Sequence, residues 1–264
     1  MTAPLDSRLI ASFGVAIVFD VLMPVLLVLA ARRRWGIAWK AVGVGVLTFT
    51  FSQLLTRVPA VWGVQYLLRD ALKASESLRL LWLVVLSLSA GLFEETARLV
   101  AFKYPLRELR RWKDAVGLGL GHGGLESAVL VGGLAALGLV NVVVLSRMDP
   151  SALSLPAEQL EQIRAAQAHV AAMRWWEPLL GAYERLGAVV MHVGFSVLVL
   201  QRFVRGHVGW YWGAVGLHTA SNLVAAWVMQ SWGAVAAEGV MTVFALATLG
   251  LALRLREGPA PGSA

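Results

Sequence analysis

LLWLVVLSLSAGLFEETARLV, residues 80–100, decides how this chain must be read. Its first two-thirds, Leu80 to Phe93, carries no ionisable group and shows no polar face, and then Glu94, Glu95 and Arg98 fall within five residues. A stretch of about 20 such residues is apolar all round a helix and long enough to cross the hydrocarbon of a bilayer. Charge at that depth costs at least a few kcal/mol per residue on insertion scales, so ionisable groups there are functional suspects.

The rest of the chain agrees with that setting. Of its 264 residues, 58% are hydrophobic and 15% charged, too apolar for a water-soluble domain. The net charge of +7 sits in short loops between apolar runs, which argues against nucleic acid as a partner. Cysteine is absent, which excludes disulfides and thiolate chemistry. The start, MTAPLDSRLI, lacks a basic region, and the apolar run after it is long enough to span, so no cleavable signal peptide is expected.

Seven spans are predicted, approximately 9–31, 41–60, 80–102, 115–146, 180–201, 209–231 and 234–253. The fourth exceeds what a bilayer needs, so it should tilt, kink at its glycines or project outside. Segment 61–79, with Trp62, Tyr66, Arg69 and Lys73, suits an interfacial helix. Segment 156–178 has Leu160, Ile163, Ala166, Val170 and Met173 at helical spacing and suits a second, amphipathic one. The expected fold is an all-α polytopic transmembrane bundle of about seven to eight spans with one or two interfacial helices. It forms one membrane domain, 1–254, with its polar core at about 80–231 and a disordered tail at 255–264. The loops RRRWGIAWK, KYPLRELRRWK, QRFVRGH and the C-terminal end are denser in Lys and Arg than the opposite segments. A cell-membrane protein with its N-terminus outside and its C-terminus cytoplasmic is therefore expected.

The intramembrane polar residues are Asp20, Glu94, Glu95, Arg98, His122, Glu126, Glu184, Arg185, His192, His218 and Asn222, with Glu238 near a helix end. At 1.5 Å per residue, Glu94, Glu95, His122, His192 and His218 all fall roughly 10–14 Å below the cytoplasmic face. Four successive antiparallel helices thus deliver polar groups to one layer. Glu94/Arg98, His122/Glu126 and His218/Asn222 are i,i+4 pairs, so each shares a helix face. Small residues surround them in GLGLGHGG, MHVGFS and GAVGLHTASN, leaving room for close helix approach or for water and substrate. Asp20 and Glu184 read as structural, each beside a polar partner, Glu184 next to Arg185. A Glu beside a His can bind and deprotonate water, and a His with an Asn at i+4 can present N–H donors to an oxyanion. These are the parts for amide hydrolysis.

EETAR (94–98), GHGGLES (121–127), YERLGAVVMH (183–192) and HTASN (218–222) resemble, in order, the YhfC-like family of glutamic-type intramembrane proteases. That family is related to the CAAX prenyl endopeptidase and bacteriocin-processing group and to the PrsW-like proteases. The likeness covers about residues 80–225. It implies a helical intramembrane endopeptidase in which Glu94 acts as base with His122 on the same water. His218 and Asn222 would form the oxyanion site, and Glu95 and Arg98 would organise it. Only Thr96 and Ala97 separate the glutamate pair from Arg98, closer to the PrsW spacing than to the CAAX one, which leaves Glu94 and Glu95 both open as base. Leu118 stands where the CAAX group has an aromatic residue. Glu126 and His192 have no counterpart in the CAAX pattern but fit the YhfC-like one. No cofactor is expected on this reading; the alternative is a zinc site built from His122, His192 and His218, assembled across three helices because no HExxH motif occurs. A proton-coupled transporter is the alternative of another class, and the lack of an obvious internal repeat counts against it. The expected partners are membrane lipids and a membrane-anchored or lipidated peptide.

Overall fold

The computed structural model describes residues 6–256. The expected disordered tail falls, from residue 257 onward, outside the described residues. Among those residues the chain is helical throughout, without strands. The helices are α1 (Ser7–Trp35), α2 (Trp39–Phe49), α3 (Val58–Ala74), α4 (Glu76–Lys103), α5 (Trp112–Leu125), α6 (Gly132–Arg147), α7 (Ala157–Ala172), α8 (Glu177–Val204), α9 (Gly209–Trp232) and α10 (Ala234–Arg254).

Local chemistry sets the ends. Asp6 accepts from the Arg8 amide at 2.8 Å to open α1, which closes on Arg32, Arg33 and Arg34 and on Gly36 at φ 63°. The cations offset the negative end of the helix dipole, and glycine tolerates the left-handed turn. Ser75 caps α4 by accepting from the Leu78 amide.

Two π-helical segments, Thr50–Arg57 and Glu126–Val131, join α2 to α3 and α5 to α6. Each pair is one continuous helix of 36 residues, Trp39–Ala74 and Trp112–Arg147. The segment expected to lie separately at the interface, 61–79, is thus largely the continuation of the second span, because the π turn carries the chain onward instead of ending it. Val58–Ala74 buries no residue and exposes Trp62, Tyr66 and Leu67. The irregularity expected in the fourth run is the Glu126 π segment. Such segments insert one residue into the helical turn and recur at functional sites.

Among the described residues, six helices are long and apolar enough to cross a membrane. The seventh expected span, α9, has 24 residues. It falls short in hydropathy because it carries His218, Thr219, Ser221, Asn222 and several tryptophans. It packs on α4 and α10. The amphipathic segment forms α7, which rests on α6 through Gln167 Nε2, donating to Leu145 O and Met148 O at 2.8 Å each. Val170 and Met173 cover Leu9, Phe13 and Val142.

α5 is the axis of the bundle, buried from Asp114 to Gly124. Glycine makes that possible. A Cβ on Gly121 would collide with Val42 O of α2, and one on Gly119 would stand 2.5 Å from Val193 Cα of α8. Both contacts are backbone against backbone, so α2, α5 and α8 approach only where side chains are missing. A local likeness accompanies this packing: AVGVGV (41–46) and AVGLGL (115–120) lie on neighbouring faces of α2 and α5.

Candidate active site

The close approach of α2, α4, α5, α8 and α9 brings the polar layer together around Glu94. Its Oε1 accepts from Gln53 Nε2 at 2.9 Å, and its Oε2 lies 2.8 Å from His122 Nε2 and 3.4 Å from Arg98. Arg98, fully buried, also pairs closely with Glu95 and donates to His192 Nδ1 at 2.7 Å. Glu95 Oε1 accepts from His218 Nδ1 at 2.7 Å. Glu126 binds Arg185 at 3.0 Å and stands 2.6 Å from His192 Nε2. The imidazole of His192 lies 5.0 Å from that of His122 and 5.9 Å from that of His218, which stacks on Phe195. Every acidic, basic and imidazole residue expected at the site is therefore in one contiguous network.

The cavity it lines measures about 170 Å³ and is bordered by Gln53, Arg57, Glu94, Glu126, His192 and His218. Asn222 reaches the cavity wall but makes no side-chain hydrogen bond among the described residues. Glu184 pairs with Arg185, as expected of a structural partner. Asp20 is buried, yet its Oδ1 has no hydrogen-bond partner; only its backbone carbonyl is engaged, by Ser127.

Donor bookkeeping distinguishes the histidines. Thr48 has one hydroxyl hydrogen and gives it to Gly45 O at 2.7 Å. Its oxygen also stands 2.9 Å from His122 Nδ1; with Nδ1–H donating there, Nε2 is the free ligand atom, the tautomer a bound metal would select. Nε2 of His122 faces Glu94 Oε2 at 2.8 Å in a dry site. Such a contact requires a proton or a cation between them. Glu126 Oε2 is likewise buried without a hydrogen bond, although His192 Nε2 stands 2.6 Å from it. Ligand atoms of Glu94, His122, Glu126 and His192 all lie within 4.8 Å of one another. Two imidazoles and two carboxylates match the donors zinc takes, and Thr48 on His122 is the outer hydrogen bond that ligating histidines have. The residues present fit a metal ion. His192 is the least ready of the four, since Arg98 holds its Nδ1. The set differs from the three histidines expected for zinc, because His218 is turned onto Glu95 and its Nε2 stays 3.9 Å from Glu94 Oε1.

Sequence reasoning missed Thr48, Gln53 and Arg57. By sequence Arg57 counts with the basic residues of the segment beyond the second span. In the fold it is part of the π turn and donates to Gln53 Oε1, Ser89 Oγ and Leu86 O. The signal is present as an i,i+4 Gln53/Arg57 pair in an apolar run, but a polar residue near a span's end is usually solvated.

Fold and site together define a polytopic membrane protein with a buried carboxylate–imidazole centre. The chain belongs to the YhfC family: the family model described as YhfC intramembrane metalloprotease matches residues 19–245. It is also 29% identical over 184 residues to a protein of Bacillus subtilis (strain 168) described as uncharacterized membrane protein YhfC, covering 68% of this chain and 69% of that one. No solved structure matches the chain. The expected YhfC membership and intramembrane protease class stand. The family description names the metallo type, so it supports the zinc alternative and lends nothing to the glutamic-type, PrsW-like placement.

Proposed function

We propose that this chain is a metal-dependent intramembrane endopeptidase acting on membrane-anchored or lipidated peptides. The observation that carries it is the convergence of Glu94, His122, Glu126 and His192, whose ligand atoms lie within 4.8 Å of one another inside the bundle. These four residues would hold the metal, zinc by the donor set. Zinc there would supply Lewis-acid polarisation of water and of the scissile carbonyl.

The chain's own groups do the rest. Thr48 and Arg185 hold His122 and Glu126 in place. His218, oriented through Nδ1–H by Glu95, presents Nε2 as a proton acceptor. The water oxygen attacks the carbonyl carbon while its proton passes to Nε2. The C–N bond then breaks, and Nε2 returns that proton to the leaving nitrogen. Asn222, on the cavity wall, is placed to donate to the carbonyl oxygen. The basic loops support an N-terminus outside and a C-terminus in the cytoplasm.

The glutamic reading, with Glu94 or Glu95 as base and no metal, has one observation in its favour. Arg98 donates to His192 Nδ1, an arrangement complete without an ion. Cleavage of a library of membrane-anchored peptides by purified protein separates the two. Wild type, Glu94→Gln and Glu95→Gln would be run with and without chelator, alongside metal analysis. The expected result is about one zinc per chain and cleavage abolished by chelator. Cleavage indifferent to chelator and lost in a glutamate variant would establish the glutamic mechanism. A wild type that holds no metal and cuts nothing would overturn the protease reading and direct attention to proton-linked flux.

A further inference from the structure

Beside the catalytic cavity runs a second groove, of about 380 Å³, between α4, α9 and α10. Arg57, Glu184, Asn222 and Met241 border both, so the two spaces abut. The groove's lining joins apolar residues to Arg57, Ser87, Glu184, Asn222 and Glu238, and the last is a carboxylate that the catalytic network does not use. Glu238, in the first turns of α10, is 8% exposed, lines the groove, and has a buried Oε2 without a hydrogen bond. Its carboxylate makes no ion pair among the described residues.

Neither neighbouring arginine makes an ion pair with it among the described residues. Arg57 directs three of its five N–H groups to Gln53 at 3.0 Å, Ser89 at 3.0 Å and Leu86 O at 2.6 Å. Arg185 is committed to Glu126 and Glu184. Glu184, on the same groove wall, is already paired and adds negative potential. An unpaired carboxylate within a membrane bundle is costly unless something supplies its partner.

We infer that Glu238 is a specificity residue that takes a lysine or arginine side chain of the substrate. The groove would hold a membrane-anchored peptide whose scissile bond reaches the Glu94 cavity. Charge complementarity and continuity with the cavity carry this, and it rests on the protease reading only for the identity of the cavity. Met241, which borders both spaces, is three residues from Glu238, roughly 4.5 Å along the helix. The recognised cation therefore flanks the cleaved bond closely.

The test uses fluorescent peptides with an apolar membrane segment and one lysine scanned along the flank, each with glutamine and aspartate counterparts. Their binding to full-length Glu94→Gln protein is read by anisotropy, with and without Glu238→Gln and Glu238→Lys. The same peptides are offered to wild type for cleavage. At one position, lysine should bind about tenfold or more tightly than glutamine, the span of a charge-assisted hydrogen bond. That preference should vanish in Glu238→Gln, and Glu238→Lys should favour aspartate. No lysine preference, or one that survives Glu238→Gln, overturns the inference. So does a preference for the choline or ethanolamine headgroup of added lipid with none for lysine. Selective binding without cleavage keeps the groove assignment and removes the protease reading, so the two fail separately.

Discussion

Replacing Thr48 with valine tests the hydrogen bond behind His122. The two side chains have nearly the same volume, so the change opens no cavity; what it removes is one acceptor. His122 is fully buried, and its Nδ1 has Thr48 Oγ1 at 2.9 Å as its side-chain partner. Gly45 O, the hydroxyl's own acceptor, lies in α2 and keeps its helical environment. The loss is therefore an unsatisfied ring nitrogen in a dry site, about 1–3 kcal/mol of stability. Removing the outer hydrogen bond of a ligating histidine should also weaken metal binding about 10–100-fold. Unfolding of purified Thr48→Val in graded SDS reads the first quantity, and competition with a chelating zinc dye reads the second. Thr48→Ser, which keeps the hydroxyl, should restore both. An unchanged zinc affinity in Thr48→Val, or equal damage in Thr48→Ser, would refute Thr48 as the outer partner of a metal-ligating His122.

Packing and charge give two more expectations. A Cβ on Gly123 would stand 2.8 Å from His192 Cδ2, so Gly123→Ala should displace that ring without altering any polar group. Overpacking of this kind costs about 1–3 kcal/mol, and cleavage should fall at least about tenfold while circular dichroism stays helical; full activity would show that His192 is not held where it matters. Arg98→Met should be among the most damaging single changes, because it strands the buried charges of Glu94 and Glu95 at a cost of about 3–5 kcal/mol. Adding Glu95→Gln to it should recover part of that loss in SDS unfolding, and a double variant as weak as the single one would count against the pairing.

The membrane class was legible because it depends on composition over windows of helix length, and no tertiary contact can reverse it. The polar layer was legible for a related reason: depth along a spanning helix is set by residue count, so Glu94, His122, His192 and His218 had to fall at one level. Their pairings were not. Which imidazole meets which carboxylate depends on helix rotation and on how closely backbones approach at Gly119 and Gly121. Those quantities moved His218 onto Glu95 and put Glu126 beside His192. The π turns were invisible too, since one inserted residue leaves the apolar pattern almost unchanged while rotating every later residue of the helix. They separate the expected 41–60 and 61–79 elements from the single Trp39–Ala74 helix observed, and they bring Gln53 and Arg57 inward.

The sequence by itself thus determined a multi-pass helical bundle and the layer at which its ionisable groups collect, because hydropathy and rise per residue are properties of each helix alone. Only the tertiary structure decided the two-histidine, two-carboxylate grouping, the contact of Thr48 with His122 and the unpaired state of Glu238. Each of these is a relation between side chains on different helices, and it exists only once the glycine contacts let those helices meet.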